Sequence, residues 1–284
     1  MKQKPAANAY TVSMLPTTRR AVFFDVVRLH WKELLLLGLI LLLFFLPLLL
    51  CIAFRDLFIA GLYTTVQDSP SEQNWGNTLI YLDILYSLIF TLLTALFSIG
   101  VSGVSRVLRQ YAWLENVHIP TELGKGIKGN YKLTAGIGLL AGLIYTLCLM
   151  VYYSAGSYGS LLLSCLSMVP IGISLLLVLP IFAFALVMVP IYTNRLGGLL
   201  KNAFVVYSHT VLKSLLSLLL CLLIWVPALL PNFYCHIFGC IGAVLLTPFS
   251  LLAWTLYCYN PLDRYINPTI APSLIGKGIH WEEA

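Results

Sequence analysis

Charge is what this sequence is short of. Asp, Glu, Lys and Arg make up 10% of its 284 residues while 60% are hydrophobic, and the few charges avoid the long apolar runs. Soluble domains carry about 25% charged residues, so a water-soluble globule is excluded. Also missing are a phosphate-binding glycine loop, a serine nucleophile elbow, an HExxH helix and any pair of carboxylates inside an apolar run. No catalytic residue, cofactor or metal is therefore expected. Seven cysteines are present (Cys51, Cys148, Cys165, Cys221, Cys235, Cys240, Cys258), but none is in CxxC spacing, and they read as small apolar packing residues. Cys235 and Cys240 flank a short connection where an oxidising exterior would permit a disulfide that the spacing does not demand. His236 lies between them, with too few neighbouring ligands for a metal.

What is present is a set of six long apolar runs, near Leu34–Phe54, Leu79–Gly103, Leu133–Tyr153, Ser167–Ile191, Leu212–Leu229 and Ile237–Tyr259. Roughly 20 apolar residues at about 1.5 Å per residue cross the ~30 Å of hydrocarbon in a bilayer. The runs are continuously apolar rather than alternating, which indicates helices that satisfy their own backbone in lipid. The fold class expected is all-α, a polytopic membrane protein with six transmembrane helices.

The basic residues set the orientation. Sixteen of the 17 Lys and Arg residues fall on one side of these runs, and only Arg55 falls on the other. Basic loops resist translocation, so both termini are expected in the cytoplasm of a cell membrane. The net charge of +6 is thereby explained without nucleic acid. The first run follows a polar stretch and is too long for a cleavable signal, so it is expected to remain as an anchor. The organisation expected is an N-terminal tail over 1–17, one membrane domain over 18–262 and a cytoplasmic tail over 263–284.

Before the first, third and fifth runs lie stretches of helical amphipathicity. In the first, Asp25, Arg28 and Lys32 oppose Phe23, Val26, Val27 and Trp31; in the second, Glu122, Lys125, Lys128 and Lys132 oppose Leu123, Ile127 and Tyr131. In the third, Leu196, Leu199, Leu200, Ala203, Phe204 and Tyr207 oppose Lys201, Asn202 and Ser208. Such segments lie at the headgroups, with lysines on anionic lipid, and act as elbows leading into the spans. The segments at 30–37 (HWKELLLL), 130–140 (NYKLTAGIGLL) and 210–220 (TVLKSLLSLLL) each place a lysine at the water boundary. They suggest three tandem units of elbow plus hairpin, although any basic-flanked span shares the pattern.

The segments FFDVVRLHWKELLLLGLI (23–40), RVLRQYAWLENVHIPTELGKGIKGNYK (106–132) and MVPIYTNRLGGLLKNAF (188–204) resemble the YesL-like family of bacterial integral-membrane domains. The resemblance implies a protein of the Gram-positive cytoplasmic membrane, encoded near carbohydrate ABC transporters and without an established activity. Permease subunits of such a transporter become candidate partners. The chain departs from the family after Arg109, where only Glu115 stands in place of an acidic pair, and at Pro120-Thr121-Glu122-Leu123.

Two groups of polar residues stand out. Asp83 is expected near the outer interface, within reach of Arg55; the pair reads as a structural ion pair, with a transport-coupling role as the alternative. Arg106, Arg109, Glu115, Asn116, His118, Lys125, Lys128 and Lys132 form the densest basic surface, a candidate for docking a partner or for binding anionic lipid. Pro170, Pro180 and Pro190 recur in the fourth span, where each removes a backbone donor and bends or breaks the helix unless neighbours compensate; the plainer reading is that membrane helices tolerate proline and that Pro170 and Pro190 mark the two ends of the span. Gly100, Gly103, Gly136, Gly138 and Gly142 are expected to allow close helix contact. The function expected is a non-enzymatic accessory or regulatory partner of a carbohydrate ABC-type transport system; the alternative is a small-molecule permease.

Overall fold

The structure, a computed structural model, describes residues 16–66, 72–155, 160–230 and 232–280, without the side chains of 60, 62–66, 72–77 and 79. Lys2, Lys4, Asp68, most of the 154–160 connection and the side chain of Glu72 lie outside the described residues.

Apolar sequence in lipid leaves the backbone no partner but itself, and the chain answers with helices. They run α1 (Arg19–Val66), α2 (Glu72–Ala112), α3 (Ile119–Ala155), α4 (Leu161–Ser167), α5 (Val169–Ile173), α6 (Leu179–Met188), α7 (Leu196–Leu222), α8 (Phe233–Tyr265) and α9 (Asn267–Ile270). A π turn (Ser174–Val178) joins α5 to α6, and a 3₁₀ segment (Leu223–Leu229) extends α7. No strand occurs among the described residues. Six of the helical stretches are long and apolar enough to cross a membrane, so the protein is an all-α polytopic membrane protein.

The elbows are helical and run into their spans. α1 bends at His30 (φ −124°, ψ 22°) and α7 at Thr210 (φ −133°, ψ 20°), two nearly identical breaks at matching positions of the 30–37 and 210–220 segments. No such break interrupts α3 over 119–155. The fourth span begins at Leu161 rather than Ser167, because Leu161–Leu163 is itself apolar. It is also broken: Met168 closes α4, and Pro170 lies in the first turn of α5.

In lipid, apolar burial alone barely favours protein over acyl chains, so close approach decides which helices pair. α2 and α3 pack most intimately, through small residues. A Cβ added at Gly142 would lie 2.6 Å from Thr91 Cα, and one at Gly138 would lie 2.9 Å from Ala95 Cα. Thr91 donates its hydroxyl to Ser87 O at 2.9 Å, so the seam is polar in composition and satisfied locally. On α1, Leu34, Leu37, Leu41, Phe45 and Leu48 form the buried face and meet α2 and α8. At Gly38 an added Cβ would come within 2.3 Å of Leu245 O on α8, a close approach not anticipated from the sequence. The intimate α2–α3 pairing crosses the boundary between the expected hairpin units. By contrast, the fourth span has no buried residue in α4, α5 or the π turn.

Candidate functional site

Polar side chains gather at the two ends of the bundle. At the end poor in basic residues, Arg55 near the end of α1 meets Asp83 of α2. Arg55 Nε donates to Asp83 Oδ1 at 2.5 Å and Nη2 donates to Oδ2 at 3.0 Å, a bidentate fork that combines charge with fixed geometry. Tyr153 of α3 donates its hydroxyl to Asp83 Oδ2, and Asp56 accepts from Arg55 Nη1 at 3.0 Å. Asp83 is only 3% exposed. Beside it, a small open cleft is lined by Cys51, Ser87, Phe90 and Tyr145. Burying a carboxylate is tolerable when it is paired and hydrogen-bonded, and Asp83 is both. The sequence pointed to Arg55 and Asp83 but not to Tyr153, whose only signal was its place as the last residue of the third apolar run.

At the basic end, the candidate docking residues divide. Arg106 Nε donates to Glu122 Oε2 at 2.9 Å and Lys125 Nζ to Glu122 Oε1 at 2.7 Å. Glu122 was expected on the polar outer face of its elbow; it is instead 8% exposed. Gly126 draws α3 onto α2, since a Cβ there would lie 2.9 Å from Gly103 Cα, and Arg106 supplies the countercharge. Lys125 and Arg106 hold the Glu122 carboxyl down at about 2. Arg109 turns inward: Nη1 donates to Pro190 O at 2.5 Å, and the guanidinium lies 4.5 Å from the Trp113 ring centre. Lys128 and Lys132 are exposed, with the Lys132 ammonium 5.9 Å from the Tyr131 ring centre.

Between α2 and α3 the backbone is constrained. Leu114 sits at φ 54°, where glycine is usual after a helix. Leu114 N bonds Tyr111 O at 3.0 Å and Glu115 N bonds Gln110 O at 3.0 Å, closing the helix end. Glu115, Asn116 and His118 are exposed. Glu115 pairs with Lys277 at 2.8 Å, and His118 Nδ1 lies 2.7 Å from Thr121 Oγ1.

Lys277 belongs to the stretch expected as a tail, and as far as residue 280 that stretch is packed rather than free. Arg19 Nη1 donates to Lys277 O at 2.6 Å and Nη2 to Asp263 Oδ2 at 3.0 Å. Gly276 N reaches the same Asp263 oxygen at 3.3 Å, and His280 N reaches Pro16 O at 3.1 Å. Gly278 adopts φ +87° and passes so close to α2 that a Cβ would lie 2.4 Å from Ala112 O. Asn267 Nδ2 donates to Asp263 Oδ1 at 2.6 Å, and Tyr192 Oη donates to Asn267 Oδ1 at 2.5 Å. Arg19 falls at the start of the expected membrane domain and Asp263 at the start of the expected C-terminal tail; only folding makes them partners.

Cys235 is exposed and Cys240 buried, and both are free on α8. Five residues apart on one helix they point in different directions, so this conformation does not allow the disulfide that the loop position suggested. Comparison of the chain with protein-family models, with curated proteins and with solved structures gives no match.

Proposed function

We propose that this chain is a non-enzymatic accessory or regulatory subunit of a membrane transport system, acting through its basic end. We place that end in the cytoplasm of a bacterial cell membrane, following the distribution of Lys and Arg. The reading is carried by the built surface at the α2–α3 connection. Trp113 is held between the Arg109 guanidinium at 4.5 Å and the Lys277 ammonium at 3.9 Å. Leu114 is kept at positive φ, and Glu115, Asn116 and His118 are presented to solvent. Backbone strain of this kind persists where the surroundings over-determine it, often at contact sites. Asp83 supports the same reading, because its carboxylate is spent on Arg55 and Tyr153 rather than left free to carry a proton. The carbohydrate ABC permease as partner comes from the resemblance to the YesL-like family.

Affinity purification of the tagged chain in mild detergent tests the proposal. A stoichiometric permease subunit supports it. Asn116→Lys with His118→Glu should release that partner while the protein still inserts. The double reversal of Arg106 and Arg109 is a poorer test, since it would break the Glu122 pair and the Pro190 contact.

One observation favours a permease instead: the π turn and Pro170 of the fourth span lie in a stretch with no buried residue from Leu161 to Val178. A proton-linked flux abolished by Asp83→Asn, with expression unchanged and no partner recovered, would replace the accessory reading.

A further inference from the structure

The stretch 271–280 follows α9, passes through a 3₁₀ turn (Pro272–Leu274) and meets the start of α1 and the end of α2. Its backbone is fixed from several sides. Lys277 O accepts from Arg19 Nη1 at 2.6 Å, Gly276 N donates to Asp263 Oδ2 at 3.3 Å, and His280 N donates to Pro16 O at 3.1 Å. Gly276 and Gly278 stand at φ 68° and 87°, left-handed conformations that cost glycine little, and both are buried. The Arg19–Asp263 pair behind them is nearly closed to water, its side chains 6% and 11% exposed. None of these anchors uses the Lys277 side chain.

That side chain serves the α2–α3 connection instead. Its ammonium pairs with Glu115 Oε1 at 2.8 Å and lies 3.9 Å from the Trp113 ring centre. Among the described residues, these are the charged contacts that 113–118 receive from beyond α2 and α3. Trp113, Leu114 and Val117 pack partly on the core, and the remaining supports are the backbone bonds that close the end of α2 around Leu114 at φ 54°. Leucine resists that conformation, so the turn gains from a hold outside itself. The Glu115–Lys277 pair is 37% exposed on both sides, and an ion pair so open to water adds little to global stability. Its effect is local: it ties the turn to a stretch whose backbone is already held. It also sets a cation at the C-terminal end of α2, where positive charge is favoured.

Building on the docking role given above to the α2–α3 connection, we propose that 271–280 is a strap that holds this connection in its presented conformation, with Lys277 as the positioning residue. The anchors at Arg19, Asp263 and Pro16 fix the strap, and the Lys277 ammonium carries that fixation to Trp113 and Glu115. Release of the strap loosens the docking face without unfolding the bundle.

The test is hydrogen–deuterium exchange of the full-length protein in neutral detergent, read by mass spectrometry over 113–118, with thermal unfolding alongside. Lys277→Met keeps the reach of the side chain and removes its charge. Exchange over 113–118 should accelerate about fivefold, with Tm and exchange in the spans unchanged. Lys277→Arg keeps both the ion pair and the contact with the ring, and should restore wild-type exchange; a packing role would survive in Lys277→Met instead. Glu115→Gln breaks the pair from the other side, and combined with Lys277→Met it should add nothing, because both act through one contact. Lys128→Met, at an exposed lysine of α3, should leave exchange unchanged. Recovery of the membrane subunit that purifies with the wild-type chain is measured on the same variants, and should fall in Lys277→Met and return in Lys277→Arg. Unchanged exchange in Lys277→Met, acceleration spread through the spans, or acceleration that Lys277→Arg does not reverse overturns the strap. Local acceleration with undiminished recovery of the subunit, or with none recovered by the wild type, supports the strap and overturns the docking reading.

Discussion

Tyr207 does for the fourth span what the span's own backbone cannot. Pro180 has no N–H, so the carbonyl four residues back, Leu176 O, loses its helical donor, and the buried Tyr207 hydroxyl of α7 donates to it instead. Tyr207→Phe should lower stability by about 1 kcal/mol, measured as thermal unfolding in detergent. In a Pro180→Ala background the restored N–H should remove most of that loss; an undiminished loss would show that the hydroxyl serves something else. Glu122 makes a second residue-scale prediction. Its carboxyl is depressed from an ordinary value of 4.5 to about 2. The stability it confers is therefore complete above pH 4.5 and lost as pH falls through about 2. The stability difference between wild type and Glu122→Gln should shrink over that window and stay level from pH 5 to 7. Sequence periodicity put Glu122 on a solvated face because a lone helix shows only its own polarity, and Arg106 reaches it from another helix.

At the scale of elements, the α2–α3 seam is the firmest joint in the bundle. Its glycines were legible in part: Gly103, Gly138 and Gly142 do sit at close contacts, whereas Gly136 meets only a Leu196 methyl at 3.2 Å. Gly142→Val should force the two helices apart and cost roughly 1–3 kcal/mol, read as loss of monodisperse protein after heating. Gly136→Ala should be nearly neutral in the same assay. The helices at His30 and Thr210 share one bend, each at the point where an amphipathic stretch passes into a long apolar one. α3 has the same sequence pattern without that break, so the pattern predicts an amphipathic approach but not its angle. An elbow's angle depends on what it rests against. For α3 that support is the groove of α2 at Gly103.

At the scale of the whole molecule, the expected topology has a direct check. With the other six cysteines replaced, native Cys235 should react with an impermeant thiol reagent in intact cells, while single cysteines at Asn116 and Gly198 should be protected. Labelling of Asn116 from outside would reverse the topology and move the proposed docking surface to the wrong compartment. The class of the protein and its six spans were determined by sequence alone, because the cost of leaving backbone or charge in hydrocarbon acts on every segment independently of its neighbours. The separation of basic from non-basic loops was likewise a property of the chain read in order. Tertiary structure alone decided that Tyr153 completes the Asp83 site, that Arg109 turns inward, and that the stretch after Asp263 packs beneath α1 and α2. The same holds for Arg19 and Tyr259, more than 200 residues apart, sharing a pocket. These are matters of which helices touch, and in a bilayer that choice rests on close packing and a few desolvated hydrogen bonds between residues far apart in the chain, which no local pattern records.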